Sequence, residues 1–372
     1  MAVKDKIVRW FMQNVIVPRN EIIDNPGFLV TRFTQDGTEV YLREVGVPES
    51  VFVVLEQAIA EKYGKPGVQM LYSAGKKFSH HYAHKSVFPS VKTNSKKDVE
   101  KFLYNFVRYA EATSYGRINY SVDMEKKSAA ITLKNYMICP HNGLGYLFTS
   151  GSLAGIWSYL LSDSRLEAVQ VKCQGRKFAN CEVICGTVAQ LDKMSLDFCK
   201  QPRMKEWPPD NYSQINMIKP AKYAKTSFQS LINGRYLSYK SGVVERKKQR
   251  YFIIESSFIY ILENELKKLK GANDLLFDLA FESGRVLAKR EKDAQRFVSD
   301  IVSAFGWGDC LVTGDSVISE HFPWSHLFKS SRFFLYRGLL SGILTEITGK
   351  TVKLRKIARS DIGGSVVLKI SK

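Results

Sequence analysis

The sequence predicts an α+β fold in two tandem copies, each with helices packed on a mainly antiparallel sheet. Two observations predict it. The first is an internal repeat. Val53-Val54-Leu55-Glu56 returns as Tyr260-Ile261-Leu262-Glu263. Lys97-Asp98-Val99-Glu100-Lys101-Phe102 returns as Lys292-Asp293-Ala294-Gln295-Arg296-Phe297, and Gly151-Ser152-Leu153-Ala154-Gly155-Ile156 as Gly338-Leu339-Leu340-Ser341-Gly342-Ile343. The matches keep their order, so they mark one duplicated unit of roughly 150–170 residues, a domain's size and not a solenoid's. The second is that blocks of helical and of β-rich character are segregated within each copy instead of alternating.

The elements follow in order. Val3, Ile7, Trp10, Phe11 and Val15 share a helical spacing, with Lys4, Lys6 and Arg9 between them, which predicts an amphipathic helix within residues 1–26. Such a face packs on its own domain, makes a homo-oligomer contact or lies on a membrane surface. Phe28 to Phe33 and Val40 to Leu42 read as strands around Gln35-Asp36-Gly37, a hairpin turn. A helix opens at Pro48-Glu49-Ser50, carries Phe52, Leu55, Ile59 and Tyr63 on one face, and stops at Gly64. A second helix runs from Val68 to His84. The matching pair in the second copy spans Phe258 to Lys270 and Asp274 to Lys289, broken at Gly271. A third helix buries Phe102, Phe106, Val107 and Ala110, and its twin Phe297, Ile301 and Val302. Strands follow at 116–122 and 129–133, and at 309–313 and 316–318. Next comes a helix with glycines four apart, a spacing that admits close approach of a backbone or ligand. Strands at 166–171 and 181–185, and at 352–358 and 366–370, close the copies. The predicted units are 27–190 and 230–372. Residues 191–229, with Trp207-Pro208-Pro209-Asp210, have no twin and read as a basic linker or arm.

A chain of 372 residues holds two or three domains with cores of their own. The hydrophobic fraction of 45% and charged fraction of 24% are those of a globular protein and exclude a disordered one. The net charge of +19 is high, and between Lys200 and Arg250 twelve basic residues face three acids. Six cysteines are too few for a disulfide scaffold. Three of them crowd at Cys173, Cys181 and Cys185, which suggests metal or redox chemistry in a reducing compartment. The N-terminal residues carry charges where a secretory leader has an apolar run. No stretch approaches the roughly 20 apolar residues of a membrane span, so a cytoplasmic protein is expected.

Cys173 and Cys181 flank a predicted hairpin whose ends approach one another. Facing thiolates suit zinc, with Cys185, or the upstream Cys139 and His141, to complete the shell. Cys181 and Cys185 lie four apart on one strand, about 13 Å, so one ion takes both only if the strand bends. Buried idle thiols are the plain alternative. His80 and His84 stand one helical turn apart, but lack the acid of a His-Glu-x-x-His site and sit among Lys76, Lys77 and Lys85; a solvated helix end explains them better. His321 and His326 fall in an aromatic cluster with Trp307, Phe322, Trp324, Phe333 and Tyr336. Most of it is core, and the histidines are polar contacts wherever the cluster lines a pocket. No Ser-His-Asp order, phosphate-binding loop or dinucleotide fingerprint is present.

Three helices, Gly151-x-Leu153-x-Gly155-Ile156-Trp157 on a fourth, a strand, Cys173-x7-Cys181 and a strand together resemble the 4-vinyl reductase domain family. The resemblance covers most of 27–190 and, through the repeat, more weakly 230–372. The fold is shared with TRAPP vesicle-tethering subunits and with aromatic-sensing domains of transcription activators. It implies an α+β domain with an apolar pocket for hydrocarbon-like or aromatic ligands, usually with a bound zinc. Cys173 and Cys181 match the family's cysteine pair, and Gly151 and Gly155 its helix glycines. Two departures stand out. Gln170 stands where the aromatic-sensing branch commonly has an acid, three residues before the first cysteine, and Leu147-Phe148 where that branch has a cysteine ahead of the glycine helix. The second copy has no cysteine between Arg355 and Gly364, so zinc is expected in the first copy only.

The leading functional reading is a non-enzymatic ligand-binding or regulatory protein. Its apolar pockets, near Gly151, Gly155 and Trp157 and near Gly338, Gly342, His321 and His326, take a hydrophobic or aromatic small molecule. The alternative is nucleic-acid binding through Arg246, Lys247, Lys248 and Arg250, with neighbouring tyrosines stacking on bases. A protein-binding scaffold is a third class. An enzyme such as a reductase is a fourth, for which neither a cofactor motif nor a clear acid–base pair speaks.

Overall fold

The computed structural model describes residues 7, 10, 22–35, 38–86, 95–112, 116–193, 221–240, 243–323, 331–359 and 364–371. The turn at 36–37, the Trp207-Pro208-Pro209-Asp210 segment, Trp324 and His326 lie outside them. Of the N-terminal helix, Ile7 and Trp10 are described; both are helical and exposed.

β1 (Ile22–Asn25), β2 (Phe28–Gln35) and β3 (Thr38–Pro48) form an antiparallel meander. The first of these strands lies inside the segment expected to be helical, where Ile22 and Ile23 find cross-strand partners in Thr31 and Val30. The chain then enters α1 (Glu49–Ser86), interrupted at Gly64, whose φ of 56° is the left-handed conformation that glycine tolerates. Pro66 opens the continuing helix, so the expected helix pair is present as two arms of one kinked element. After α2 (Lys96–Ala112) come β4 (Arg117–Asp123), β5 (Ser128–Lys134) and the one-turn α3 (Cys139–Asn142). A π-turn at Tyr146–Gly151 leads into α4 (Ser152–Leu160), and β6 (Glu167–Lys172), β7 (Cys181–Gly186) and α5 (Val188–Lys193) follow.

The second half repeats this order. Past α6 (Phe228–Asn233) it has β8 (Ser238–Lys240), β9 (Val243–Arg246) and β10 (Gln249–Glu255), then α7 (Ser257–Leu266) and α8 (Ala272–Ala288). α9 (Ala294–Phe297), continued by a π-turn, β11 (Asp309–Val312), β12 (Ser316–Glu320), α10 (Phe334–Thr348), β13 (Lys353–Arg359) and β14 (Val366–Ser371) complete it.

The strands form three antiparallel sheets. Two are four-stranded with matching orders, β4-β5-β7-β6 and β11-β12-β14-β13. The third has six strands in the order β1-β2-β3-β10-β9-β8, three from each half, with β3 and β10 antiparallel at its centre. That order is what a pseudo-twofold axis between the two central strands produces. The fold is therefore α+β, as expected, but the halves share a sheet, and one hydrophobic core runs through both.

The glycine helices explain the strongest repeat. Gly155 faces the backbone of Lys76 and His80 on α1, and Gly342 faces that of Phe281 and Arg285 on α8. In both places a Cβ would collide with a carbonyl oxygen. Each helix is also held at its start by a buried acid at matching positions. Glu56 Oε1 accepts Leu147 N–H at 2.6 Å, and Glu263 Oε1 accepts Leu335 N–H at 3.1 Å. In the first half a buried ion pair adds to this. Lys76 Nζ lies 2.9 Å from Glu167 Oε1 and donates to the carbonyls of Ser164 and Leu166, while Tyr72 donates its hydroxyl proton to Glu167.

Candidate functional site

Two features of the first half lie close together along the chain, an apolar cavity and a cysteine cluster. The cavity offers about 70 Å³ to the centres of water-sized molecules, room for several waters at roughly 10–15 Å³ each. It opens where α1, α2 and α4 meet strands β4 and β5 and the end of the central β3–β10 pair. Amphipathic patterning puts Phe78 and Tyr82 of α1, and Phe106 and Val107 of α2, on the inner face at i, i+4 and neighbouring positions. Ile118 and Ile131 come from buried positions of β4 and β5, and Ser152 and Ile156 from α4. The central sheet contributes Glu44, Ile253 and Glu255. Tyr136 closes one side. Its phenol is fully buried, and that burial raises its pKa.

Tyr136 lies three residues before Cys139, which opens α3. Cys139, Cys173 and Cys181 are all buried, with their Sγ atoms within 4.8 Å of one another. Cys173 ends the turn out of β6 and Cys181 begins β7, so the hairpin brings them together. The loop between them lies backbone to backbone on α3, since a Cβ at Gly175 would sit 2.6 Å from Cys139 O. Cys139 and Cys181 sulfurs are 3.0 Å apart, Cys173 Sγ lies 3.3 Å from Cys139 O, and Gln174 N–H points at Cys181 Sγ. Hydrogen bonds from the Cys139 and Cys181 thiols hold the Cys173 pKa low, while the Cys139 thiol is pushed up by the same crowding. Cys185 stands apart from the group. Its strand partner is Ala129, whereas Cys181 pairs with Leu133, and burial alone raises its thiol.

The donor set fits a zinc ion. Three sulfurs close enough to share one ion are the ligands zinc favours. A fourth group stands beside them: Gln170 Nε2 is 3.4 Å from Cys139 Sγ, and its Oε1 is buried without a hydrogen-bond partner. The two ends of an amide are assigned from the hydrogen bonds they make, so rotating this one turns Oε1 toward the sulfurs. Cys139 is thus placed in the group by the fold, although its sequence distance from the hairpin gave no reason to prefer it over Cys185.

The remaining candidates are placed as follows. Gly151 and Gly155, and Gly338 and Gly342, lie at the helix crossings against α1 and α8, and are not among the cavity-lining residues. Trp157 is buried on α4 and donates Nε1–H to Lys127 O at 3.2 Å. His321 has a φ of 55°, packs its ring on Phe28 and gives its carbonyl to Arg43 Nη2. His80 and His84 both set their rings edge-on to Tyr159. His141 lies 3.6 Å from Glu49 and is not part of the cysteine group. Arg246 is engaged internally, over the Tyr236 ring, with Nη2 2.7 Å from Glu291 and Nη1 donating to Leu287 O. Arg250 is held by Glu49 and Asn135 O. Lys247 Nζ donates to Lys289 O, and Lys248 is exposed.

Sequence patterning underplayed Glu44, Glu255 and Gln170. A signal was present for the first two: each is an acid at the inward parity of a strand, in Leu42-x-Glu44-x-Gly46 and Tyr251-x-Ile253-x-Glu255.

No family model and no curated protein matches the chain. Among solved structures, the phenol-responsive sensory domain of the transcription activator PoxR, with phenol, aligns with 46% of this chain and 92% of its own, at 9% identity and a TM-score of 0.31. Among the described residues, no helix is long and apolar enough to cross a membrane.

Proposed function

We propose that this chain is a ligand-binding regulatory protein, made of two copies of one α+β domain, whose first copy takes a small hydrophobic or aromatic molecule into the cavity. The observation that carries the reading is the cavity itself. Ligand sites are concave, mostly apolar and served by a few polar groups, and this one is walled by Phe78, Tyr82, Phe106, Tyr136 and Phe148 with two carboxylates at one end. Zinc at Cys139, Cys173 and Cys181, with Gln170 beside them, is a structural clip in this reading. Bound zinc would supply a rigid tie between α3 and the β6–β7 hairpin. Because Cys139 and Tyr136 share one short segment, that tie also fixes one wall of the cavity.

Ligand binding stabilises the folded state by mass action. The test is native mass spectrometry of a mild, chelator-free preparation, followed by thermal denaturation with small aromatic compounds. A co-purified apolar adduct, or a concentration-dependent rise in melting temperature, is the expected result. An empty protein whose melting temperature no aromatic compound moves would overturn the reading.

A further inference from the structure

One edge of the first half gathers cations from several elements. Arg117 of β4 and Lys134 of β5 are direct partners across the strand pair and both are exposed, so two like charges stand side by side on the outer face of the sheet. The next residue, Asn135, is pinned from three sides. Arg250 Nη1 donates to its carbonyl at 3.2 Å, its N–H donates to Gln174 Oε1 at 2.7 Å, and a Cβ on Gly116 would sit 2.5 Å from the same carbonyl. The contact with Gln174 brings the tip of the β6–β7 hairpin to this edge. There Arg176 Nε donates to Gly143 O at 2.6 Å, Lys177 is exposed at a φ of 69°, and Phe178 is 48% exposed. A left-handed turn position favours glycine, and this one holds a lysine. The carboxylates that approach are taken: Glu49 by Arg250 and His141, and Glu182 by Lys172. Among the described residues, Arg117, Lys134, Arg176 and Lys177 form no ion pair.

Like charges held close repel until an anion comes between them. A nucleic-acid strand supplies such anions in series, and neutralising them releases counterions. Phe178, next to Lys177, offers a ring on which a base stacks. One ring gives a bilayer little to hold, since even a single buried acyl chain anchors a protein only marginally. We infer that this edge binds single-stranded nucleic acid, with phosphates along Arg117, Lys134, Arg176 and Lys177 and a base on Phe178. These residues differ from Arg246 and Arg250, whose guanidinium groups are engaged inside the fold. The inference does not depend on the cavity.

The test is fluorescence anisotropy of a labelled, mixed-sequence single strand of roughly 20 nucleotides with the full-length protein at several salt concentrations. Four phosphate contacts predict a slope of log K on log salt of about −3. Arg117→Gln with Lys134→Gln removes two of them, so the slope should shrink to about −1.4 and binding should weaken about 25-fold at about 0.1 M salt. Should that variant not fold, Lys177→Gln with Phe178→Ala at the hairpin tip is expected to weaken binding at least about fivefold. Lys62→Gln with Lys65→Gln, at the far end of the first arm of α1, removes the same charge and is expected to leave the slope and the affinity nearly unchanged. An equal loss in both charge variants makes the binding a matter of net charge and overturns the assignment. A slope near zero, or one that Arg117→Gln with Lys134→Gln does not move, overturns it as well. Binding to phosphatidylserine vesicles and not to the strand overturns it in favour of a membrane surface. Binding to neither overturns it and leaves the cations as guards of the open edge of β4 against strand pairing.

Discussion

Raising the pH from about 4.5 to about 7 should weaken this fold, and the share that Glu263 contributes can be isolated. Its carboxyl is 2% exposed beneath the start of α10, where it accepts Leu335 N–H and the Ser331 hydroxyl. Burial pushes its pKa from 4.5 up to about 7, and those two hydrogen bonds only partly oppose the shift. The folded protein therefore keeps the proton until about pH 7, while the unfolded chain releases it near 4.5. In that window the unfolded state binds fewer protons, so stability falls as pH rises and levels off above the folded value. At 1.36 kcal/mol per tenfold change, the gap between 4.5 and about 7 amounts to about 3 kcal/mol. Glu263→Gln keeps an acceptor for Leu335 N–H and cannot ionise. Urea unfolding midpoints of the two proteins, compared from about pH 5 to about pH 8, should show the variant gaining roughly 2–3 kcal/mol relative to the parent. Glu56, raised in the same direction by its own burial, is common to both proteins and cancels. Parallel curves across the range would refute the argument, since a carboxyl with an ordinary pKa gives no pH-dependent difference there.

One zinc per chain is expected from a chelator-free preparation by native mass spectrometry, lost in Cys139→Ser and kept in Cys185→Ser. Acidification should release it, because thiols bind zinc only after losing their protons. Gly342→Ala drives a Cβ into Phe281 O and should cost about 1–3 kcal/mol of denaturation free energy. Gly314→Ala, where nothing lies within 4 Å, should be near neutral. Lys76→Ala leaves Glu167 buried without its cation and should cost about 3–5 kcal/mol, whereas Lys76→Met with Glu167→Gln should recover much of the loss, read as urea midpoints.

Much of the fold was legible because its signals are local. Helical spacing placed α1, α7 and α8 within a few residues, and Gly64 and Gly271 marked the breaks. The β-rich pieces matched β4 to β7 and β11 to β14. The shared central sheet was not legible. Pairing of β3 with β10 joins residues some two hundred positions apart, and a strand's pattern shows which face it buries, not which strand lies beside it. The four residues of β1 are too few to establish a period, so no strand pattern sets them apart within residues 1–26. At the cysteine site, strand parity showed why Cys181 and Cys185 cannot readily share an ion. The proximity of Cys139 needed the α3 turn to be seen against the hairpin. The glycine motif was open to two readings, close packing or ligand approach, and the helix crossings account for its spacing.

Departures from the repeat show why the cavity sits where it does. Matching Lys97–Phe102 with Lys292–Phe297 sets Ala110 opposite Phe305, and matching Gly155 with Gly342 sets Ser152 opposite Leu339. Ala110 and Ser152 line the first-half cavity. In the second half Phe305 stacks on Tyr251 of the shared sheet and covers Gly46, so larger side chains occupy the space that small ones leave open in the first. The cavity is nevertheless not the property of one copy. Glu44 comes from β3 and Ile253 and Glu255 from β10, the two strands that join the halves. A ligand seated there touches both sides of the central pair, so its binding energy adds to the stability of the joined state and not to that of either half alone. In the proposed reading, occupancy of this cavity therefore bears on how the two halves are held together.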